Sequence, residues 1–212
     1  MRRAAVGLVV LLAASTAWAQ TRTDTELWSG VEGSKKLGKR LTLEIGAGLR
    51  LDNGISAYKS AFGDVGAGYK IGKVFALKAG YRFANVVDAA GLSENRHRLT
   101  ADGVLGTKLG ASKVALQYRG RFQDTFAPGG SKPQFRNRVK VSRYFKPWGE
   151  PFGYFELAYR FDKSEFRNYR IGVGVEWRLA KRTELSTYYI YRQAINVTTP
   201  DTAHILGLSL AQ

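Results

Sequence analysis

Apolar and polar residues alternate with a period of two along much of this chain. In residues 40–51, RLTLEIGAGLRL, the odd positions are apolar and the even positions are polar or glycine. Such alternation predicts a strand with one apolar and one polar face. No segment shows a sustained helical period. The same reasoning predicts eleven strands, at 25–35, 40–51, 61–70, 75–84, 95–106, 113–123, 135–144, 155–161, 169–179, 184–193 and 203–210.

The connections between these candidate strands alternate in length. The short set is 36–39, 70–73, 107–112, 145–151 and 180–182, and the mostly longer set is 52–60, 85–94, 124–134, 163–165 and 194–202. Strands of about ten residues with short turns at one end and longer loops at the other are typical of outer-membrane barrels. We therefore predict an all-β fold, a single-chain antiparallel transmembrane β-barrel of about 10–12 strands.

The odd strand number bears on closure. Bacterial single-chain barrels normally have even numbers of strands. Eleven strands would put the amino terminus on the long-loop side or require a parallel closing pair. Residues 20–35 are open to three interpretations: a first strand, a periplasmic arm or a segment inside the lumen.

A soluble β-sandwich or lipocalin-like barrel is the competing interpretation, with the apolar face as its core. Two features oppose it. Aromatic residues gather at strand ends, as expected at a membrane interface: Tyr69, Phe75, Tyr81, Phe83, Tyr144, Phe145, Trp148, Phe152, Tyr159, Phe161 and Trp177. Glycines fall on the polar face, where they relieve crowding inside a small barrel: Gly46, Gly48, Gly66, Gly68, Gly80, Gly172 and Gly174. We therefore expect the apolar face to touch lipid.

The amino terminus has the pattern of a secretory signal peptide. Arg2 and Arg3 precede an apolar stretch, and Ala17-Trp18-Ala19 fits a cleavage site. We expect residues 1–19 to be removed and residues 20–212 to form one barrel domain in the outer membrane of a Gram-negative bacterium. The formal net charge is +16 with no cysteine. Export argues against a nucleic-acid partner, and the missing thiols exclude disulfides and thiolate metal sites.

The carboxyl-terminal half resembles a known family. The segments WGEPF (148–152), ELAYRFD (156–162), FRNYRIGVGVEWRL (166–179), YYIYR (188–192) and HILGLSL (204–210) resemble the bacterial outer-membrane proteins grouped as domain of unknown function 2490. The resemblance runs from about Glu26 to Leu210. It implies a barrel without assigned activity or recognised catalytic residues. Residues 208–212 keep the alternation but lack the terminal aromatic residue that the barrel assembly machinery reads in such proteins.

The inward charges suggest a binding function. Arginines lie toward the loop ends of strands, whereas lysines dominate the other end, at Lys35, Lys36, Lys39, Lys70, Lys73, Lys108, Lys113, Lys146 and Lys181. Guanidinium groups hold phosphate or carboxylate at two points. An anion site is therefore a hypothesis for Arg96, Arg98, Arg119, Arg121, Arg136, Arg138 and Arg170. The alternative is a packed lumen in which these arginines pair with acids such as Asp102 and Glu156.

Three functions stay open: a narrow pore or anion-binding barrel, a structural or surface-interaction barrel with a closed lumen, and an enzyme at the rim. His97 and His204, the only histidines of the chain, are expected on the outward face as interfacial residues, so the enzyme is the weakest of the three. No cofactor or metal is predicted. The expected partners are outer-membrane lipid and lipopolysaccharide, the barrel assembly machinery and a small anion.

Overall fold

The structure, a computed structural model, describes residues 22–87, 90–110, 113–146, 149–198 and 201–212. The predicted signal peptide and Trp148 lie outside these residues. Within them the chain is almost wholly strand, and no helix in these segments is long and apolar enough to cross a membrane.

Twelve strands form one sheet. In chain order they are β1 Arg22–Leu37, β2 Leu41–Asp52, β3 Ala57–Ile71, β4 Phe75–Val87, β5 Ser93–Leu109, β6 Val114–Ala127, β7 Gly130–Ser131, β8 Gln134–Arg143, β9 Glu150–Arg160, β10 Glu165–Ala180, β11 Thr183–Ala194 and β12 Asp201–Ala211. β7 is a two-residue strand that pairs only with the end of β6. The other eleven form a closed barrel, which confirms the predicted fold class and strand number.

The barrel closes through a parallel pair. β1 lies beside β12 in parallel register from Arg22 opposite Asp201 to Glu32 opposite Ala211, whereas all the other neighbours are antiparallel. Both consequences predicted for an odd strand number therefore hold. β1 begins at the long-loop side, and the closing pair is parallel. Of the three interpretations of residues 20–35, the first-strand one is correct for the described residues 22–35.

Four of the five connections at one end of the barrel are shorter than predicted. The connections at 53–56, 88–92, 128–133, 161–164 and 195–200 define what we call the loop end, and those at 38–40, 72–74, 110–113, 144–149 and 181–182 define the turn end. Residues such as 57–60 and 124–127, predicted as loop, continue as paired strand. At 57–60 a β-bulge at Lys59 breaks the alternation, since Arg50 lies opposite Ser60 and Leu51 opposite Tyr58. At 124–127 the polar residue Asp124 interrupts the apolar series of Phe122 and Phe126.

The outward face carries the apolar residues, as the alternation predicted. Ile45 is 65% exposed and Val173 is 52% exposed, although both lie in the middle of long strands. Among the described residues the buried apolar ones are Ala84, Ala158, Ile190, Ala203 and Ile205, and the last three form a small cluster in the interior. Large apolar side chains therefore surround the barrel, and charged side chains fill it.

Inward glycines make room for neighbouring aromatic rings. A Cβ atom at Gly174 would lie 2.7 Å from the Phe152 ring and 2.5 Å from the Thr187 carbonyl oxygen. A Cβ atom at Gly207 would lie 1.8 Å from the Tyr188 ring. Phe152 is thus a lumen residue stacked on Tyr154, and its predicted place at the membrane interface is wrong. The glycines serve ring packing as well as strand curvature.

We predict that Gly174→Ala destabilises the barrel, whereas Gly106→Ala does not. The added methyl group at Gly174 meets backbone and ring atoms, and overpacking of this kind costs about 1–3 kcal/mol. Nothing lies within 4 Å of a Cβ atom at Gly106, an inward position on β5. Urea unfolding of the refolded proteins measures the difference. Equal midpoints for the two variants would contradict the packing described here.

Candidate functional site

The lumen contains two cavities, one toward each end. The loop-end cavity, which we call the vestibule, has a volume of about 600 Å³. The turn-end cavity has a volume of about 460 Å³ and is lined by Glu44, Asp64 and Asp102 as well as by basic residues. Arg98 lines both cavities. An ion that moved through the lumen would therefore pass this guanidinium.

The vestibule is strongly basic. Its acidic lining residues are Glu165 and Asp201. Its cationic lining residues are Arg50, Lys59, Arg96, Arg98, Lys132, Arg136, Arg160, Lys163, Arg167, Arg170 and Arg192. The long strands carry most of their charged side chains on the inward face, so the closed sheet brings together cations that are far apart in sequence. The resulting positive potential attracts and concentrates anions.

Glu156 on β9 is shared by four arginines. Its side chain is only 1% exposed. Arg138 and Arg170 lie directly opposite Glu156 on the two neighbouring strands. Arg138 Nε donates to Oε2 at 2.9 Å, Arg119 Nη2 to Oε2 at 3.2 Å and Arg170 Nη1 to Oε1 at 3.4 Å, and Arg136 donates to Oε1. One carboxylate thus organises four cations and leaves a local excess of positive charge.

The seven arginines of the predicted anion site are divided among several environments. Arg119, Arg136, Arg138 and Arg170 surround Glu156, as described. Arg121 binds Asp102 at two points, with distances of 2.7 and 2.6 Å. Arg96 is ion-paired with Glu94. For these six residues the salt-bridge alternative describes the contacts, and their role in anion binding stays a prediction.

Arg98 is the seventh residue, and its surroundings differ. Its Nε donates to the Thr125 hydroxyl at 3.0 Å. Its opposite neighbour on β4 is Arg82, a like charge. Among the described residues no carboxylate lies within ion-pairing distance of Arg98. Of the predicted set, Arg98 is therefore the one available to an external anion.

Arg50 is a second available cation, absent from the predicted site. Its guanidinium carbon lies 4.1 Å from the centre of the Trp28 ring and 5.1 Å from that of Phe62. Its Nε is buried without a hydrogen-bond partner, and within the described segments it forms no ion pair. Sequence reasoning placed Arg50 on the inward face. The sequence pattern did not show which arginines have an acidic partner. That depends on residues of other strands, which are far away in the sequence.

Glu26 stabilises the parallel junction of β1 and β12, which we call the seam. It is fully buried and accepts hydrogen bonds from Lys59 on β3, Arg192 on β11 and the Trp28 ring nitrogen, each at 2.8 Å. Arg192 reaches across β12, where Ala203 is small enough to let it pass. A single carboxylate thereby connects strands on both sides of the parallel pair.

Asp162 and the two histidines lie outside the lumen. In the connection 161–164, the Arg160 guanidinium hydrogen-bonds to Asp162 and lowers the pKa of that carboxyl below its usual value. His97 and His204 lie on the outward face, as predicted, where each Nδ1 is 2.6 Å from a tyrosine hydroxyl, of Tyr81 and Tyr189 respectively. In the part of the chain that is described, no cluster of three or more His, Asp or Glu side chains could hold a metal ion.

Comparisons with known proteins bear mainly on the family. The model of the family described as "Protein of unknown function (DUF2490)" matches residues 25–203. No match was found among curated proteins. A solved structure described as "KdgM porin" is similar at 16% sequence identity with a TM-score of 0.46, covering 81% of this chain and 84% of that chain.

We predict that Glu156→Gln lowers stability strongly. The change leaves four arginines without their shared carboxylate, and removing one partner of a buried ion pair costs about 3–5 kcal/mol. Asp162→Asn is the control, since it removes an ion pair at the exposed surface, where such pairs contribute little. The variants are compared by the temperature at which the folded band is lost when samples are heated stepwise before detergent gel electrophoresis. If Glu156→Gln had the same midpoint as the wild type, water would already solvate the four guanidinium groups well enough to replace the carboxylate.

Proposed function

The chain belongs to the protein family of unknown function DUF2490, and we propose that it is a porin-like barrel of the outer membrane whose basic vestibule binds anionic solutes. The proposal has two parts, the membrane location and the anion site. Each rests on a different face of the same strands.

The outward face supports the membrane location. Exposed leucine, isoleucine, valine and aromatic side chains cover the middle of the strands all around the barrel. In water such a continuous apolar surface would lead to aggregation. In a bilayer it is the expected surface, because the closed sheet satisfies every backbone hydrogen bond internally.

The unpaired arginines support the anion site, and Arg50 is the observation that carries it. A buried guanidinium nitrogen without a hydrogen-bond acceptor destabilises the fold unless a ligand supplies that acceptor. Arg50 and Arg98 both line the vestibule, and neither is neutralised by an acid in the described segments. A carboxylate or phosphate bound between them would supply the missing acceptors.

The vestibule limits the ligand by size and charge. A volume of about 600 Å³ is in the range of sites for small molecules rather than macromolecules. The exposed cations Lys132 and Lys163 at its edge would attract an anion before it reaches Arg50 and Arg98. The proposed ligand is therefore a small solute with one or more carboxylate or phosphate groups.

A barrel with a closed lumen is the second candidate. The observation that favours it is the filling of the interior by ion pairs and rings, including the Glu156 cluster and the aromatic stack of Phe152 and Tyr154. In that case the vestibule would bind its ligand without passing it on. Conductance across a planar bilayer distinguishes a narrow pore from a closed barrel.

We predict that Val173→Arg prevents stable insertion into lipid vesicles. Val173 is outward and exposed in the middle of β10, and an arginine at the bilayer midplane costs about 2–4 kcal/mol. Val173→Leu, which keeps the apolar character, is expected to insert like the wild type. The heat-dependent shift in gel mobility after refolding into vesicles measures insertion. Normal insertion of Val173→Arg would argue against a lipid-facing β10.

We predict that Arg50→Gln combined with Arg98→Gln weakens anion binding and leaves the fold intact. The change removes two cations that have no carboxylate partner among the described residues, so no buried acid is left unpaired. The unfolding midpoint should therefore not fall. Isothermal titration with a tricarboxylate and the ion selectivity of any single-channel current measure the effect.

Arg121→Gln combined with Arg138→Gln is the matched variant. These two arginines are engaged by Asp102 and Glu156, so their loss should lower thermal stability with no change in ion preference. If this pair changes anion binding and the Arg50 and Arg98 pair does not, the anion site lies instead at the ion-paired arginines of the set predicted from sequence.

A further inference from the structure

The turn end of the barrel carries a repeated pairing of a lysine with a large apolar residue. Each of its five connections has an exposed lysine next to, or two residues from, an exposed apolar side chain. The segments are Lys36-Leu37, Lys70-Ile71, Lys108-Leu109, Phe145-Lys146 and Leu179–Lys181. Leu179 is 60% exposed, although it stands at the tip of the barrel wall.

The acids near the turn end, such as Glu44 and Asp64, line the cavity inside the lumen. In the described part of the chain, none of these five lysines lies within ion-pairing distance of a carboxylate, and an exposed salt bridge near the rim joins Arg178 and Glu184. At the loop end Asp52 pairs with Lys59 and Asp162 with Arg160, although Lys132 and Lys163 there are also exposed and form no ion pair among the described residues. The turn-end rim therefore carries positive charge that no described carboxylate neutralises.

The apolar residues identify the kind of partner. A soluble polyanion would be attracted by lysines but would gain nothing from the exposed Leu37, Ile71 or Leu179 beside them. At the boundary of a bilayer, an apolar side chain enters the acyl region while a neighbouring lysine extends to the headgroups. Trp177, exposed on β10 just before Leu179, is a further interfacial residue.

We propose that the turn-end rim, defined by Lys36, Lys70, Lys108, Lys146 and Lys181, binds the phosphate groups of anionic lipids in the leaflet at that end. The proposal rests on the membrane location and is independent of the vestibule. The rim gathers acidic lipid around the barrel and fixes its depth in the bilayer. Electrostatic attraction between a lysine and an anionic membrane surface corresponds to an enrichment of about fivefold per residue at close contact.

Quenching of tryptophan fluorescence by brominated lipid tests the proposal. Full-length mature protein carrying Trp148→Phe is refolded into phosphatidylcholine vesicles that contain one fifth dibrominated phosphatidylglycerol. The signal then comes from Trp177 and from the lumen-facing Trp28, which lipid does not reach. We expect phosphatidylglycerol beside Trp177 at threefold or more above its bulk fraction, falling to the bulk fraction in 1 M salt, where charges are screened within about 3 Å.

Two variants separate charge from shape. Replacing the five lysines by glutamine should reduce the enrichment to the bulk value, whereas replacing them by arginine should preserve it.

Lipid A in place of phosphatidylglycerol should give a larger enrichment because its headgroup carries two phosphates.

Several results would overturn the proposal. One is wild-type protein that inserts normally but reports the bulk lipid composition. A second is a glutamine variant that keeps the enrichment. A third is wild-type protein that reports bulk lipid composition and binds soluble polyglutamate through the same lysines, which would assign the rim to a partner outside the membrane. Failure of wild-type protein to insert into any vesicle would refute the membrane location itself, and the rim with it.

Discussion

The closure of an odd number of strands by one parallel pair is the constraint on which the rest of this structure depends. With eleven strands in the wall, β1 and β12 must run in the same direction. Parallel pairing is slightly less stable per residue than antiparallel pairing. The seam is therefore where the barrel needs additional interactions, and Glu26 supplies them by binding Lys59 and Arg192 on opposite sides of it.

Closure also determines the electrostatics. A sheet that closes on its polar face forces many cations into a small volume, and only a few acids share it. Glu156 and Asp102 are placed opposite arginines on neighbouring strands, so they neutralise the middle of the lumen. The surplus of positive charge remains at the vestibule, around Arg50 and Arg98. The same inward charges thus provide both stability and binding capacity. The positions of the acids decide which arginines form ion pairs and which are available to bind an anion.

Much of this architecture could be predicted from the sequence, because alternation depends only on neighbouring residues. The alternation in residues 40–51 gives the strand, its faces and its approximate length. The strand end at 57–60 escaped detection, since a β-bulge at Lys59 shifts the alternation by one residue there. The pairing of Arg121 with Asp102 depends on register between strands, which the pattern within one strand does not contain. The interior position of Phe152 was missed because an aromatic residue near a strand end fits the lumen and the membrane interface equally well.

The contact between inward glycines and neighbouring rings has a consequence for substitution in this wall. The ring of Tyr188 occupies the space that a side chain at position 207 would need, so the residue that fits at 207 depends on the residue at 188. A larger residue at 207 requires that the ring at 188 be lost or turn away. Substitution in this part of the wall therefore calls for paired changes, and a glycine that looks expendable by itself is required by its neighbour.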